Sequence, residues 1–323
     1  PASLCCQCNL CEYFSCPANL HPRLTNAIFK QNMAEAKVRY QPTETEFHVR
    51  DARKYRLVPS KRLVARLGLR EFDQPAPWTE ETITPAEVHI ATSQHVGAPA
   101  VPVVSTGDRV TAGQLIGKVP DGALGAPIHA SVSGKVTAVE PRPNNSGTPV
   151  LSVVIENDFQ DTPAAPLERP APLDQLTPEQ IVALVRDAGI TGMGGASFPT
   201  HVKLSGAIGK ADTCIINGAE CEPYITADHR LMLEQGERII GGARILRKAL
   251  GLDKVIIGVE ENKMDAVEHL KALTGGKPDV VVEPLHTRYP QGAEKQLIQR
   301  ITGREVPPGG LPADVGCCVF NVG

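Results

Sequence analysis

Residues 213–223 read TCIINGAECEP, an apolar run of strand character followed by a turn with glycine, proline and two carboxylates. Further strands are predicted at 255–259 and 280–283, and helices at 177–188, about 228–250, 264–273 and about 292–301. This alternation predicts a Rossmann-like α/β domain with a mostly parallel sheet. Because ligands gather at the carboxyl edge of such sheets, the turn after 213–217 is a predicted site.

A proline-rich stretch precedes the α/β segment. Residues 161–178 contain five prolines, which is typical of a semi-rigid linker. Thr177, Pro178 and Gln180 then have the order of a capping box, with proline in the first helical turn. We therefore expect a helix that begins here and stops at Gly189.

Between about Glu87 and Asp158 the sequence changes to short β-type runs separated by turn residues. The runs lie at 101–104, 115–119, 128–132, 135–140 and 150–156. They predict a small all-β module. The spacing of its glycine turns resembles a barrel-sandwich hybrid of the biotinyl and lipoyl type. The connection 121–127 has no lysine that could carry a prosthetic group, so the module is interpreted as structural.

Five of the nine cysteines lie within the first sixteen residues. Cys5, Cys8, Cys11 and Cys16, the last followed by proline, nearly reproduce the ferredoxin spacing for a [4Fe-4S] cluster. Zinc is the alternative, although structural zinc sites usually have two separated cysteine pairs. Either Cys16 completes a solitary cluster, or it serves a second cluster whose other ligands lie outside this chain.

Composition excludes several classes of function. The net charge of -3 argues against nucleic-acid binding by the chain as a whole, and no apolar run reaches the ~18 residues of a spanning helix. One basic segment stands out at positions 50–70. It contains Arg50, Arg53, Lys54, Arg56, Lys61, Arg62, Arg66 and Arg70. It is either a solvated face or a docking surface for an acidic partner such as a ferredoxin, or for a cofactor phosphate.

Two polar loops are candidate cofactor sites. Residues 192–203 place Gly192, Gly194 and Gly195 ahead of Lys203, so that backbone N–H groups and a cation could meet a phosphate; the alternative is a tight connection only. Residues 217–224 offer an amide and paired carboxylates, which suit the polar edge of a flavin and sugar hydroxyls; the alternative is a polar turn. Cys221 has no nearby histidine before it, which disfavours a nucleophilic role.

Several motifs then show a family resemblance. Segments 194–203 (GGASFPTHVK), 217–223 (NGAECEP), 306–310 (VPPGG) and 320–323 (FNVG) resemble the FMN/NADH-binding domain. That domain is shared by the Rnf C subunit, PduS-type corrinoid reductases and, more distantly, the flavoprotein subunit of complex I. Segments 94–100 and 128–136 resemble the barrel-sandwich domain of these proteins. The cysteine run with 58–63 and 66–69 is similar to the iron–sulfur tail of PduS-type proteins.

The resemblance implies roles for individual residues. Gly192, Gly194, Gly195 and Lys203 would hold the FMN phosphate and ribityl chain, while Asn217, Glu220, Glu222 and Asn321 would line the flavin. Phe198 would stack on the nicotinamide side, and Gly292 and Glu294 would lie near the bound nucleotide. Glu220 is predicted to lie closest to the reacting pair, steering geometry and charge rather than acting as an acid.

The order of the domains along this chain differs from the order in Rnf C subunits and from the order in PduS-type proteins. We expect a cluster segment with the basic stretch at 1–78, a barrel-sandwich domain at 79–160, the linker at 161–178 and the FMN/NADH-binding domain at 179–323. The resemblance implies a flavin domain incomplete at its C-terminus, and a chain that lacks a ubiquitin-like part and one cluster run.

The leading hypothesis is an Rnf C-type NADH dehydrogenase subunit that moves electrons between NAD(H), FMN and a [4Fe-4S] cluster. Its partners would be NADH, ferredoxin or another redox protein, and a larger complex. It would be cytoplasmic, reaching the membrane only through partners, and would bind no nucleic acid. The alternatives are a PduS-like NADH-dependent cobalamin reductase and a non-catalytic electron-relay or scaffold subunit.

Overall fold

The computed structural model describes residues 2–40, 51, 57–74, 77, 79, 82–144 and 146–323. The chain forms two compact units that are each assembled from separate stretches. The first comprises Pro1–Pro77, Ala211–Gly241 and Lys254–Val322, and the second comprises Trp78–Lys210, Gly242–Asp253 and Gly323. The division into four consecutive parts made from the sequence stays a prediction.

The N-terminal part of the first unit contains helices α1 (Pro22–Glu35) and α2 (Ser60–Arg66). Pro22 is the first residue of α1, a position that suits proline because a missing N–H has no cost in the first turn. The Glu12 carboxylate accepts the N–H groups of Arg23 at 2.8 Å and Leu24 at 3.4 Å, and so satisfies donors that the helix leaves unpaired.

Only part of the basic segment can be placed. Arg50, Arg53, Lys54 and Arg56 lie outside the described residues, whereas Lys61, Arg62 and Arg66 lie on α2 and Arg70 follows it. Arg66 donates to the Tyr13 carbonyl at 2.8 Å. The choice between a solvated face and a docking surface therefore stays open.

The second unit contains the predicted all-β module. Its strands are β1 (Glu87–Ala91), β2 (Val101–Pro102), β3 (Arg109–Val110), β4 (Leu115–Lys118), β5 (Ile128–His129), β6 (Gly134–Pro143) and β7 (Pro149–Asn157). Two antiparallel sheets form, in the orders β1-β7-β6-β3 and β2-β4-β5. Ile116, Val136, Val153 and Ile155 are fully buried between them. The five predicted runs correspond to strands, and β1 and β3 are additional.

Two helices follow in the second unit, α3 (Pro178–Asp187) and α4 (Thr200–Ala207). The predicted capping box is confirmed: the Thr177 hydroxyl accepts the Gln180 N–H at 3.3 Å, and the Gln180 side chain accepts the Thr177 N–H at 2.8 Å. The helix ends at Asp187, just before Gly189, which has a φ of +68°.

The α/β sheet belongs to the first unit. It consists of β8 (Thr213–Gly218), β9 (Val255–Glu260), β10 (Val280–Leu285) and β11 (Cys317–Asn321), in the order β10-β9-β8-β11. All neighbouring strands are parallel, which confirms the predicted parallel sheet. Helices α5 (Ala227–Glu234), α6 (Gly236–Leu250), α7 (Met264–Thr274) and α8 (Glu294–Thr302) alternate with its strands.

The single helix predicted at about 228–250 is wrong. The chain forms α5 and α6 instead, separated at Gln235, whose backbone leaves the helical region with φ -123° and ψ 24°. A Cβ on Gly236 would lie 2.6 Å from Leu273 Cδ1, so α6 begins in close contact with α7. That contact depends on tertiary packing, which a hydrophobic period does not reveal. None of the helices within the described ranges has the length and apolarity to cross a bilayer.

Candidate functional site

Polar side chains gather at the carboxyl edge of the parallel sheet, where the sequence predicted a site. Asn217 is the penultimate residue of β8, and Glu220 and Glu222 lie in the turn that follows the strand. Asn321 ends β11 in register with Asn217, and Glu260 ends β9 on the other side of β8. The sheet therefore brings four of the predicted residues to one edge and adds a fifth polar residue, Glu260.

Both polar atoms of the Asn217 side chain form hydrogen bonds within the protein. Its Nδ2 donates to the Gly292 carbonyl at 2.8 Å, and its Oδ1 accepts the Ala219 N–H at 3.0 Å. Gly292 in turn approaches the turn so closely that a Cβ would lie 2.3 Å from the Ala219 carbonyl oxygen. Asn217 thus fixes the turn after β8 against the segment that leads to α8, and only glycine fits at position 292.

Glu220 is held by the start of α5. One carboxylate oxygen accepts the Asp228 N–H at 3.0 Å, and the other accepts the His229 N–H at 3.3 Å. The Lys263 ammonium lies 4.0 Å from the carboxylate and donates to the Glu220 carbonyl at 3.2 Å. Glu220 is only 6% exposed and Lys263 only 5%. The carboxylate is therefore held in one position by neighbouring donors.

Glu260, Lys263 and Asp228 were missed by the sequence reasoning. The segment 258–263 reads GVEENK and follows a predicted strand, so the rule that located Glu220 also points to it. Glu260 is fully buried; one oxygen accepts the Arg288 N–H at 3.0 Å, while its Oε2 has no hydrogen-bond partner among the described residues. Burial raises the pKa of Glu260 and also that of Asp228, the latter with the help of the nearby Glu220 charge.

Cys221 is unsuited to nucleophilic catalysis. Desolvation raises the pKa of its thiol to about 12, against the opposing hydrogen bond with the Gly292 backbone. A thiol in this state is protonated at neutral pH, and the thiolate is the reactive form. The structure thus agrees with the low weight that the sequence gave to this role.

The glycine-rich loop lies in the second unit. The Gly192 N–H donates to the Phe198 carbonyl at 2.9 Å, Ser197 has a φ of +51°, and α4 begins at Thr200 with Lys203 in its first turn. Gly194 and Gly195 are exposed. A Cβ at Gly195 would meet no atom within 4 Å, so the fold itself does not demand glycine there. Exposed backbone without a side chain fits the close approach of a phosphate.

The predicted cluster ligands are partly assembled. Cys5, Cys8 and Cys11, together with Cys6, line one cavity of ≈ 250 Å³ in the first unit. Cys16 does not line it, and its sulfur accepts the Leu20 N–H at 3.3 Å. Over the described residues, no three His, Cys, Asp or Glu side chains are arranged to hold a metal ion. The thiol donors and the shared cavity fit an iron–sulfur cluster in their chemistry, but Cys5, Cys8 and Cys11 as well as Cys16 would have to move to bind it.

Family models and known proteins match most of the chain. The family model described as the Nuo51 FMN-binding domain matches residues 185–323, and the model of the RnfC barrel sandwich hybrid domain matches residues 76–160. The C subunit of the Na(+)-translocating ferredoxin:NAD(+) oxidoreductase complex of Acetobacterium woodii is 52% identical over 240 residues, 74% of this chain and 54% of that protein.

Two further relatives are also named as C subunits of oxidoreductase complexes. The C subunit of the proton-translocating ferredoxin:NAD(+) oxidoreductase complex of Clostridium ljungdahlii is 47% identical over 74% of this chain and 52% of its own length. The C subunit of the ion-translocating oxidoreductase complex of Pseudomonas aeruginosa is 43% identical over 77% of this chain and 32% of its own. The chain spans about half the length of the first two relatives.

A parallel sheet with a polar carboxyl edge, matched by an FMN-binding domain model, defines a protein of the flavin-binding α/β class. The antiparallel module, matched by the RnfC barrel sandwich hybrid model, is a second domain that this protein combines with the flavin-binding one. Over about three quarters of its length, the chain is similar to proteins named as C subunits of ion-translocating oxidoreductase complexes.

Proposed function

We propose that the chain is a flavo-iron–sulfur electron-transfer subunit of the Rnf C type, which moves electrons between NAD(H), FMN and a [4Fe-4S] cluster. The observation that carries the proposal is the polar carboxyl edge of the parallel sheet within a matched FMN-binding domain. When bound, FMN accepts a hydride from NADH and passes electrons on one at a time. Activity as a ferredoxin:NAD oxidoreductase would belong to the assembled complex.

The residues divide into groups by role. Gly192, Gly194 and Gly195 offer backbone donors to the FMN phosphate, and Lys203 adds a cation. The flavin ring is lined by Asn217, Glu220, Glu222 and Asn321. Phe198 stacks on the nicotinamide side, and Gly292 and Glu294 are near the bound nucleotide. These roles rest on the family resemblance, and the exposed loop and the fixed polar edge support them.

Glu220 has the most specific role in the proposal. Its two backbone hydrogen bonds and the neighbouring Lys263 keep the carboxylate in one position. A fixed charge beside the reacting pair orients the nucleotide and sets the local electrostatic potential, and both effects favour hydride transfer. Proton transfer by this group is not part of the proposal.

Cys5, Cys8, Cys11 and Cys16 would hold the proposed cluster, which would supply one-electron transfer. The partners are proposed to be a ferredoxin or another redox protein and the other subunits of a membrane complex, with this chain peripheral on its cytoplasmic face. The domain division at 1–78, 79–160, 161–178 and 179–323 is part of the same proposal.

An anaerobic flavin experiment tests the proposal. The purified chain is incubated with FMN and separated from excess cofactor, and its absorbance near ~450 nm is followed as NADH is added. We expect bound FMN that NADH bleaches. If the chain takes up no FMN, the proposal fails in favour of a relay or scaffold subunit. If NADH-reduced protein passes its electrons to a corrinoid and none to ferredoxin, the cobalamin reductase alternative holds instead.

A further inference from the structure

Helix α1 has an apolar face that no described part of the chain buries. All of its residues are described, and none of them is buried. Leu24 and Ile28, here called the apolar pair, lie one turn apart and are 49% and 53% exposed. An isolated helix of this length is only marginally stable in water, and most helices are stabilised by the packing of such a face. Helix α1 therefore has the properties of a helix that packs against a partner.

The other side of α1 faces the cysteine segment. Arg23 and Asn26 line the cavity that three cysteines of the predicted cluster also line, and Lys30 donates to the Cys5 carbonyl. Arg23, Asn26 and Lys30 have the spacing of one helix face, and the apolar pair lies on roughly the opposite face. A protein bound to the apolar pair would be separated from the cysteines by one helix, whose diameter with side chains is ~10–12 Å.

The cysteine segment is a positive region of a chain that is negative as a whole. Residues 1–74 contain twelve Lys and Arg against seven Asp and Glu, whereas the net charge of the chain is -3. Part of this charge lies on α2, where Lys61, Arg62 and Arg66 are exposed and no acidic residue occurs. The Arg66 guanidinium donates to the Tyr13 carbonyl at 2.8 Å, which fastens α2 beside the cysteine run. An acidic surface is complementary to this charge.

The charge and the position together favour one kind of partner. A second copy of the chain would bring the same positive charge to the contact, and like charges oppose association. An anionic lipid surface would match the charge, but its binding does not require a site next to the cysteines. An acidic electron-carrier protein matches both features, because a redox partner has to come close to the redox centre.

We propose that the apolar pair of α1 and the exposed cations Lys61 and Arg62 of α2 form the docking surface for a small acidic iron–sulfur protein of the ferredoxin kind. The apolar pair supplies the uncharged centre of the contact, and the cations steer the partner and set its orientation. The inference rests on the proposed function, which does not say where on the chain the redox partner binds.

Two double variants test the two halves of the docking surface. Leu24→Gln/Ile28→Gln removes the apolar pair, and glutamine keeps the helix because its helix propensity is high. The matched control is Leu167→Gln, at a leucine that is 51% exposed and lies outside the docking surface.

Lys61→Glu/Arg62→Glu reverses two exposed charges of the docking surface. Its matched control is Lys277→Glu, at an exposed lysine outside the surface. Should the first double variant fail to fold, this second one and the salt dependence of the wild type still decide the question.

The probe is an acidic two-cluster ferredoxin, added anaerobically to the chain loaded with FMN and reconstituted with iron and sulfide. Calorimetry gives the Kd at about 50 and about 300 mM salt. We expect the Kd of the wild type to rise at least about tenfold between the two, because salt screens the charges.

The two double variants should differ in their dependence on salt. Leu24→Gln/Ile28→Gln should raise the Kd at least about tenfold at both salt concentrations, since an apolar contact is not screened. Lys61→Glu/Arg62→Glu should raise the Kd at low salt and remove most of the salt dependence. Both controls should bind like the wild type, and the iron and FMN contents should be the same in all variants.

The inference is overturned if the wild type does not bind the ferredoxin, if its Kd is independent of salt, or if the apolar-pair variant binds as tightly as Leu167→Gln. Loss of iron from both double variants would mean that the surface holds the cluster and not a partner. Displacement of the ferredoxin by phosphatidylserine vesicles would replace the proposed partner by a lipid surface. Self-association of the chain that the apolar-pair variant abolishes would replace it by a second copy.

Failure of the proposed function is distinguishable from failure of the docking surface. Bleaching of bound FMN by NADH is measured on the same preparation without ferredoxin. If NADH bleaches the flavin and no ferredoxin binds, only the inference fails. If ferredoxin binds as expected and NADH does not bleach the flavin, only the proposed function fails.

Discussion

Lys263 and Glu220 form a buried pair of opposite charges at the carboxyl edge of the sheet. Each is at most 6% exposed, so removal of one partner leaves the other charge with little solvent to compensate it. Lys263→Met should lower the free energy of unfolding by about 3 kcal/mol, measured by urea denaturation. The double variant with Glu220→Gln should lose less than the sum of the two single variants.

Lys277→Met is the control for this pair, because Lys277 is an exposed lysine of the same unit. It should change the stability by no more than about 0.5 kcal/mol. Equal stabilities of Lys263→Met and Lys277→Met would show that the buried pair contributes nothing.

Glu260 makes stability depend on pH in a defined direction. Desolvation raises its pKa above the ordinary 4.5, against the opposing hydrogen bond from the Arg288 N–H. The folded state therefore keeps the proton to a higher pH than the unfolded state. The contribution is complete below pH 4.5 and is lost as the pH rises through the raised pKa.

Glu260→Gln removes this ionisation and keeps the side-chain shape. Its stability relative to the wild type should increase as the pH rises from 4.5 to 8, measured as urea midpoints at several pH values. Glu268→Gln, at an exposed position on α7, is the control. A constant difference between Glu260→Gln and the wild type over this range would contradict the prediction.

A substitution at Gly195 should weaken ligand binding without changing the stability of the fold. A methyl group there would meet no protein atom within 4 Å, so Gly195→Ala should change the free energy of unfolding by no more than about 0.5 kcal/mol. The same methyl group would stand where the FMN phosphate approaches the backbone, and the Kd of FMN should rise at least about tenfold, measured by flavin fluorescence.

The control for Gly195 is Gly206→Ala, a glycine on the exposed side of α4 with equally open space around it. It should bind FMN like the wild type, and the helix should gain roughly 0.5–1 kcal/mol. Equal FMN affinities of the two variants would remove Gly195 from the proposed phosphate site.

At the scale of elements, the start of α3 depends on one hydroxyl. Thr177→Ala removes the acceptor of the Gln180 N–H and should cost about 1 kcal/mol of stability, measured by chemical denaturation. Thr177→Ser keeps the hydroxyl and should stay within a few tenths of a kcal/mol of the wild type. Equal losses in both variants would mean that the capping box does not stabilise the helix.

Elements were predictable where their signals are local. The capping box marks the start of α3, and Gly189 marks its end to within two residues. A proline is likewise the first residue of α1. The break between α5 and α6 was not predictable, because it depends on the approach of Gly236 to Leu273 and His269. Those residues are more than thirty positions further along the sequence, and the hydrophobic pattern of 228–250 contains no information about them.

At the scale of the whole molecule, the proposed [4Fe-4S] cluster and its ligands in the cysteine run can be tested by iron and sulfide analysis. Anaerobically reconstituted wild type should contain about four iron atoms and four acid-labile sulfides per chain if Cys16 completes a solitary cluster. Cys8→Ser should lose most of this iron, whereas Cys6→Ser should keep it. Iron that survives in Cys8→Ser and disappears in Cys6→Ser would replace the predicted ligand set.

The sequence by itself determined what depends on neighbours in the chain: the spacing of the cysteines, the strand and helix alternation, and the polar turn after 213–217. Because ligands gather at the carboxyl edge of such sheets, it also placed Asn217 and Glu220 at that edge, whereas Asn321 came only from the family resemblance. Only the tertiary structure decided that Lys263 faces Glu220 and that Glu260 is buried. Charge pairing and burial depend on distances between segments brought together by folding, and no local pattern encodes those distances.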